Sequence, residues 1–240
     1  MRVVSLRRYP VKSMGGEALE AAHLDLRGLR GDRWYAVSDE DGCLASGKSS
    51  RRFRRRDQVF AYAARTTSTD DVAVTGPGGE WLVGDPALEV ELSGAMGVPV
   101  RVTSETEVSH QDDGSVSLVG TATLDWWAGK GIAADPRRLR VNIVVSTDEP
   151  FVEESWVGRA LTMGSASLRV VGPVPRCRMI DIDQDGAVAD GGWLKPLTEQ
   201  RDGCVSVYAD VLAPGVVRVG EPLTLSDPSV VEQSLPPVVE

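Results

Sequence analysis

Apolar and polar positions alternate with a period of two along most of this chain. The first such run, 1–8 (MRVVSLRR), predicts a short strand. Similar runs predict strands at 21–26, from Trp34 to Val37, at 98–103, at 141–145, at 166–171 and at 205–211. Glycines and prolines, spread along the chain, punctuate them. Asp39 to Gly42 (DEDG) predicts a hairpin turn into Cys43-Leu44-Ala45, and Gly76-Pro77-Gly78-Gly79 turns Val72–Thr75 into Trp81–Val83. Residues 58–65 and 72–75 read as a β pair, 159–163 and 167–171 as a hairpin through Gly164-Ser165, and 216–225 as a closing strand pair. Gly172, Pro173 and Pro175 are expected to stop the strand that precedes them, with a further strand at 179–182. Helical signals are few. Asp85-Pro86 opens a short helix within 84–96, with proline at the first helical position. Residues 121–129 (TATLDWWAG) predict another, capped by Thr121, and 150–158 and 193–200 read as helical or turn segments. The pattern therefore predicts a mainly β chain with a few short helices.

Length and charge narrow this reading. With 240 residues the chain holds one large domain or two small ones. A net charge of −9 argues against nucleic-acid binding, which needs a basic face. Three cysteines without CxxC spacing suit a reducing cytosol better than a disulfide framework. No apolar stretch suggests secretion or a membrane span, so a cytoplasmic protein is expected. Residues 226–240 are proline-bearing and acidic and read as a tail.

The chemistry concentrates in VPRCRMIDIDQDGAVAD (174–190). Cys177 stands between Arg176 and Arg178, and neighbouring guanidiniums stabilise the thiolate, the form that attacks or ligates. The alternative is a small apolar residue at a strand start, its arginines in solvent. The turn YPVKSMGGE (9–17) sets Lys12 and Ser13 beside two glycines, which suits an anion as well as it suits a plain surface turn. Residues 46–56 (SGKSSRRFRRR) form a basic cluster in an acidic protein, either a solvated loop or a bound-anion or docking face. Asn142, within an apolar run, needs partners and is either a structural hydrogen bond or a ligand contact. His110 reads as an exposed surface residue, and Cys43 and Cys204 as small buried ones.

In this order YPVKSMGGE (9–17), GLRGDRW (28–34), DPRRLRVNIVV (135–145), PFVEESWVGRALTMG (150–164), PRCRMIDIDQDG (175–186) and PGVVRVGEPLTL (214–225) resemble the MOSC family, named for the C-terminal domain of the molybdenum cofactor sulfurase. The resemblance covers nearly all of 1–225 and is weaker at 66–90 and 104–124. It implies an N-terminal β-barrel domain at 1–104, similar to that of the amidoxime-reducing relatives, and a MOSC β-barrel, similar to the pyruvate kinase barrel, at 105–225. It also implies a molybdenum–molybdopterin cofactor whose metal is held by one protein thiolate, which falls on Cys177. Cofactor contacts fall by the same resemblance on Lys12, Ser13, Arg33, Arg140 and Asn142, with Asp113, Gly114 and Ser115 as further candidates. The loop holding those three, QDDGSVSLVG, departs from the family pattern, as does Val205-Ser206-Val207-Tyr208. Pyridoxal phosphate binding is a further property implied by family.

The implied activity is a molybdenum-dependent oxidoreductase acting on N-hydroxylated or N-oxide-type small molecules. Its electrons would come from a separate flavin reductase, ferredoxin or cytochrome-type protein. The alternative is a sulfur or cofactor carrier using a Cys177 persulfide or thiolate.

Overall fold

A computed structural model describes residues 1–107 and 109–227. Its framework is an eight-stranded sheet. In spatial order the strands are Leu223–Ser226, Ala160–Met163, Ala166–Pro175, Cys204–Ala213, Val116–Gly120, Ile143–Val145, Val3–Arg8 and Glu17–Leu19. All neighbours are antiparallel except Val116–Gly120 with Ile143–Val145. Backbone bonds from Val3 N to the Glu221 carbonyl (2.9 Å) and from Leu223 N to the Met1 carbonyl (3.1 Å) curl the sheet back on itself. Period-two patterning puts Leu6, Leu118, Ile143, Leu168, Val170 and Val207 on the inner face, in one apolar cluster.

The protein is mostly β with few helices, as the alternation predicts. Three smaller sheets complete it. Val100–Ser104, Tyr35–Asp39, Leu44–Ser46 and Phe53–Arg55 form the first, Gly79–Leu82, Val72–Gly76 and Ala63–Thr66 the second, and Gly215–Arg218, Ala21–Asp25 and Gly28–Leu29 the third. The large sheet joins the N-terminal strands Val3–Arg8 and Glu17–Leu19 to strands beyond residue 105, so a division at 104 does not fall between sheets.

The helix Pro86–Met96 forms for reasons visible in its residues. The Asp85 carboxylate accepts from Ala87 N at 2.8 Å, Pro86 takes the first turn, and Gly97 closes the end with φ 69°. Leu88, Leu92 and Met96 are four apart, so they share a stripe and pack against Val59, Phe60 and Val100.

Several expected elements differ. Residues 57–61 are a 3-10 turn, so only Ala63–Thr66 pairs with Val72–Gly76. Residues 178–181 are likewise a 3-10 turn rather than a strand. The strand at 166 continues to Pro175, because register shifts between Val170 and Gly172 and between Pro173 and Pro175 absorb the prolines. The last two strands do not pair with each other. Gly215–Arg218 joins Ala21–Asp25, and Leu223–Ser226 joins Ala160–Met163, so Ser226 is sheet and not tail. Residues 228–240 of the expected tail lie outside the described residues. Helix 121–128 starts from Gly120, and the Thr121 hydroxyl instead donates to the Thr147 carbonyl at 3.3 Å. Cys43 is buried, but Cys204 is only partly so.

Candidate functional site

The long strand Ala166–Pro175 delivers Cys177, which sits in extended backbone just before the 3-10 turn at Arg178. Its side chain is partly exposed on the wall of a cavity of about 270 Å³. Both flanking guanidiniums lie within electrostatic reach of the sulfur, but they are held differently. Arg176 is buried. It donates to the carbonyls of Val205 (3.0 Å) and Leu139 (2.6 Å) and to the Ser206 hydroxyl, and burial pushes its pKa down to about 10. Arg178 turns to the Asp57 carboxylate at 2.7 Å and to the Gly47 carbonyl at 3.3 Å. The sulfur therefore stands between one cation fixed by three neutral acceptors and one that is already paired with a carboxylate.

The segment after the first strand supplies the opposite wall. Lys12 is buried, its ammonium donating to the His110 carbonyl at 2.7 Å and to Asp112 at 3.0 Å. Burial pushes Lys12 down to about 8, with Asp112 opposing the shift. Burial raises the Asp112 carboxyl, but the Lys12 ammonium outweighs it and holds that group at about 2. Ser13 is buried and donates to the Ala45 carbonyl at 3.0 Å. The neighbouring glycines serve packing rather than a ligand. A Cβ on Gly15 would stand 2.8 Å from Asp185 Oδ1, and one on Gly16 would stand 2.2 Å from the Arg8 carbonyl.

Arg33 and Arg140 flank the buried Tyr9 ring, at 5.1 and 4.3 Å from its centroid. Arg33 is clamped by the fully buried Asp32 carboxylate, which also accepts from Tyr9 N at 2.8 Å. Burial lowers the Arg33 pKa, but Asp32 outweighs it and the net shift is upward. Arg33 also donates to the Arg140 carbonyl at 3.1 Å. Arg140 has no such carboxylate beside it. It reaches Gln184 at 3.4 Å, its Nη2 is buried without a partner, and burial pushes its pKa down to about 10. Ser13, Arg33 and Arg140 all hold left-handed backbone, with φ of 68°, 56° and 53°. Such backbone costs a non-glycine residue about 1 kcal/mol, and strain of this kind clusters at functional walls.

Lys12, Ser13, Arg33, Asp113, Gly114, Arg140, Asn142 and Cys177 share the one cavity wall. Ser115 does not. Its hydroxyl pairs with Asp210 at 3.1 Å in an exposed position, and its carbonyl accepts from Gln111 at 3.0 Å. Asn142 is a structural link as well as a wall residue. Its Oδ1 accepts from Ser117 N and Oγ, both at 3.1 Å, and its Nδ2 donates to the Arg7 carbonyl at 3.3 Å. Gly114 is needed against Tyr208, whose ring would stand 2.6 Å from an added Cβ. His110 is buried, not exposed, because its N–H donates to Glu105 at 2.6 Å and its carbonyl takes the Lys12 ammonium.

Sequence reading missed Lys48, Asp112, Arg138 and Tyr208 as wall residues. Asp112 adjoins the singled-out Asp113, and that adjacency was the available signal. Arg138 gave none. Buried under Trp193, it donates to the Ile180 carbonyl at 2.8 Å.

Among the described residues no cluster of three or more His, Cys, Asp or Glu side chains is placed to hold a metal ion. Cys177 alone thus suits a metal that brings most of its ligands with it, and thiolate is the donor a soft centre prefers. The unpaired Arg140 nitrogen and the surplus of cations on the wall suit an anionic carrier of that metal. The residues present fit a molybdopterin-type group.

Comparison with known proteins agrees. Residues 105–224 match the MOSC domain and residues 1–118 the MOSC N-terminal beta barrel domain. The molybdenum cofactor sulfurase of Danio rerio is 40% identical over 70 residues, 29% of this chain and 8% of that protein. The sulfurase of Homo sapiens is 33% identical over 106 residues, 43% of this chain and 11% of that protein. This chain thus matches about a tenth of those relatives' length. The mitochondrial amidoxime reducing component 2 of Bos taurus is 24% identical over 234 residues, covering 76% of this chain and 66% of that protein. The fold also matches the solved YUAD protein from Bacillus subtilis with TM-score 0.50 at 14% identity, covering 93% of this chain and 94% of that one. With half of its length matched by the MOSC domain and a cavity that brings the expected thiol and cations together, this chain belongs to the MOSC domain family.

Proposed function

We propose that this chain binds a molybdenum–molybdopterin cofactor through Cys177 and reduces N-hydroxylated or N-oxide-type small molecules. The observation that supports this most is the convergence of Cys177 with Lys12, Arg33 and Arg140 on one cavity, from segments far apart in the chain. When bound, the cofactor supplies abstraction of the substrate oxygen, a two-electron reduction that releases water.

The chain's own residues prepare that site. Cys177 would hold the metal through its thiolate, and Arg176, fixed by three acceptors, stabilises that thiolate. Arg140 offers an unpaired guanidinium nitrogen to a phosphate, while Arg33, locked by Asp32, holds the Arg140 backbone through its carbonyl. Lys12 adds a point charge once Asp112 yields it. Electrons come from a separate donor protein of flavin reductase, ferredoxin or cytochrome type. Pyridoxal phosphate is not part of this proposal, since Lys12 already serves the His110 carbonyl and Asp112. Among the described residues no helix is long and apolar enough to cross a membrane, and we propose a cytoplasmic setting.

The test is reconstitution with cofactor and an electron-donor system, followed by a benzamidoxime reduction assay. Protein that carries molybdenum yet is inert across N-hydroxylated substrates would contradict the oxidoreductase reading. A second reading, a sulfur or cofactor carrier, is favoured by the partial exposure of the Cys177 thiol and by the sulfurase relatives. Labile sulfur on Cys177 without molybdenum would select it.

A further inference from the structure

Beside Lys12, which the cofactor reading already uses, stand two cations that it leaves unused: Lys48, on the cavity wall, and Arg52, behind that wall next to Phe53. Phe53 is buried, and three cations surround its ring. Lys12 Nζ, Lys48 Nζ and Arg52 Cζ lie 5.1, 4.9 and 5.4 Å from the centroid. The negative face of the ring offsets part of their mutual repulsion and holds them in place. Among the described residues only the Asp112 carboxylate is within ion-pair distance of any of them. It pairs with Lys12 at 3.0 Å and also feels Lys48. Among the described residues Lys48 and Arg52 have no carboxylate within ion-pair distance, and Arg52 Nε and Nη2 are buried without an acceptor. Guanidinium nitrogens withdrawn from water and left unpaired are costly, so an anion held at Lys48 on the wall gains the field of Arg52 across the Phe53 ring.

The phosphate seat described above lies deeper, at Arg140 and Arg33, both of them part of the buried Tyr9 cluster. Lys48, by contrast, is an exposed residue of the cavity wall, where a substrate enters. The geometry points to an anion-selective mouth: Lys48 and Arg52, set around Phe53, take a carboxylate carried by the N-oxygenated substrate. This deepens the proposed function and names its substrate class, acidic N-hydroxylated or N-oxide compounds. A free phosphate shares the chemistry but lacks the N–O group, so it competes at the mouth without turnover.

Two probes test this, benzamidoxime and 4-carboxybenzamidoxime, with inorganic phosphate as competitor. Binding is measured by calorimetry on cofactor-loaded and on cofactor-free protein, and KM and kcat on the loaded protein. The carboxylated probe is expected to bind about tenfold more tightly, with the gain in KM and not in kcat, and to lose that advantage in high salt. Lys48→Gln should remove about half of the logarithmic preference, and Lys48→Gln with Arg52→Gln all of it, while Lys48→Arg keeps it. Lys48 is exposed, so its single variant reports even if the double variant melts early. Equal binding of the two probes, or a preference that survives the double variant, overturns the proposal. A charge preference on protein that never takes up molybdenum would uphold the mouth and contradict the oxidoreductase reading. Benzamidoxime turnover without any preference would do the reverse.

Discussion

Glu153 and Arg140 are both buried charges at the large sheet, and they are treated in opposite ways. The Glu153 carboxylate accepts from Gly120 N at 3.1 Å and from the Thr123 hydroxyl at 3.0 Å, so it fastens the start of helix 121–128 to the sheet. Arg140 keeps one nitrogen buried and unpaired, on left-handed backbone, at a cavity wall. Proteins satisfy buried polar groups almost everywhere, so an unsatisfied one beside a cavity marks where a ligand completes the structure. The satisfied charge is architecture and the unsatisfied one is site.

Removing the first should cost stability alone. Glu153→Ala strands a backbone N–H and a hydroxyl in the core, and calorimetry should show a loss of about 3 kcal/mol. Cofactor bound per folded chain should stay unchanged. Arg140→Met should do the opposite. Cofactor affinity should fall by about 2 kcal/mol, read by competition for the free cofactor, while Tm holds or rises because an incompletely paired buried cation is gone. If Arg140→Met melts as early as Glu153→Ala, the contrast fails.

The pH dependence sharpens the same comparison. Lys12 is charged below its depressed pKa of about 8 and neutral above it, so it helps hold an anion only on the acid side. Cofactor or phosphate affinity should drop about fivefold between pH 7 and 9, and Lys12→Arg should abolish the step. Asp112→Asn frees the Lys12 ammonium and should tighten phosphate binding about threefold at pH 7, measured by equilibrium dialysis.

Much of this was legible beforehand. The helix at 86–96 followed from Asp85 and Pro86, which open it. Period-two runs marked most strands, because side-chain alternation is local information. The strand through Pro173 and Pro175 was not legible, since only long-range pairing with Cys204–Ala213 tells a bulge from a stop. His110 misled for a similar reason. Its polar loop reads as exposed until Lys12, almost a hundred residues earlier, is seen to seal against its carbonyl. Cys177 stood out by its two flanking arginines and Lys12 by its glycine-bearing turn, whereas Arg33 and Arg140 were named as contacts by resemblance, since no local pattern distinguishes them from other arginines. Lys48 lay in a basic run whose outer members do face solvent, so charge alone did not single it out.

Molybdenum and phosphorus content of the purified protein beside Cys177→Ser is the direct measurement. The account predicts about one molybdenum for each wild-type chain and almost none in the variant, with the two proteins melting alike. Equal molybdenum in both, or none in either after reconstitution, would contradict it.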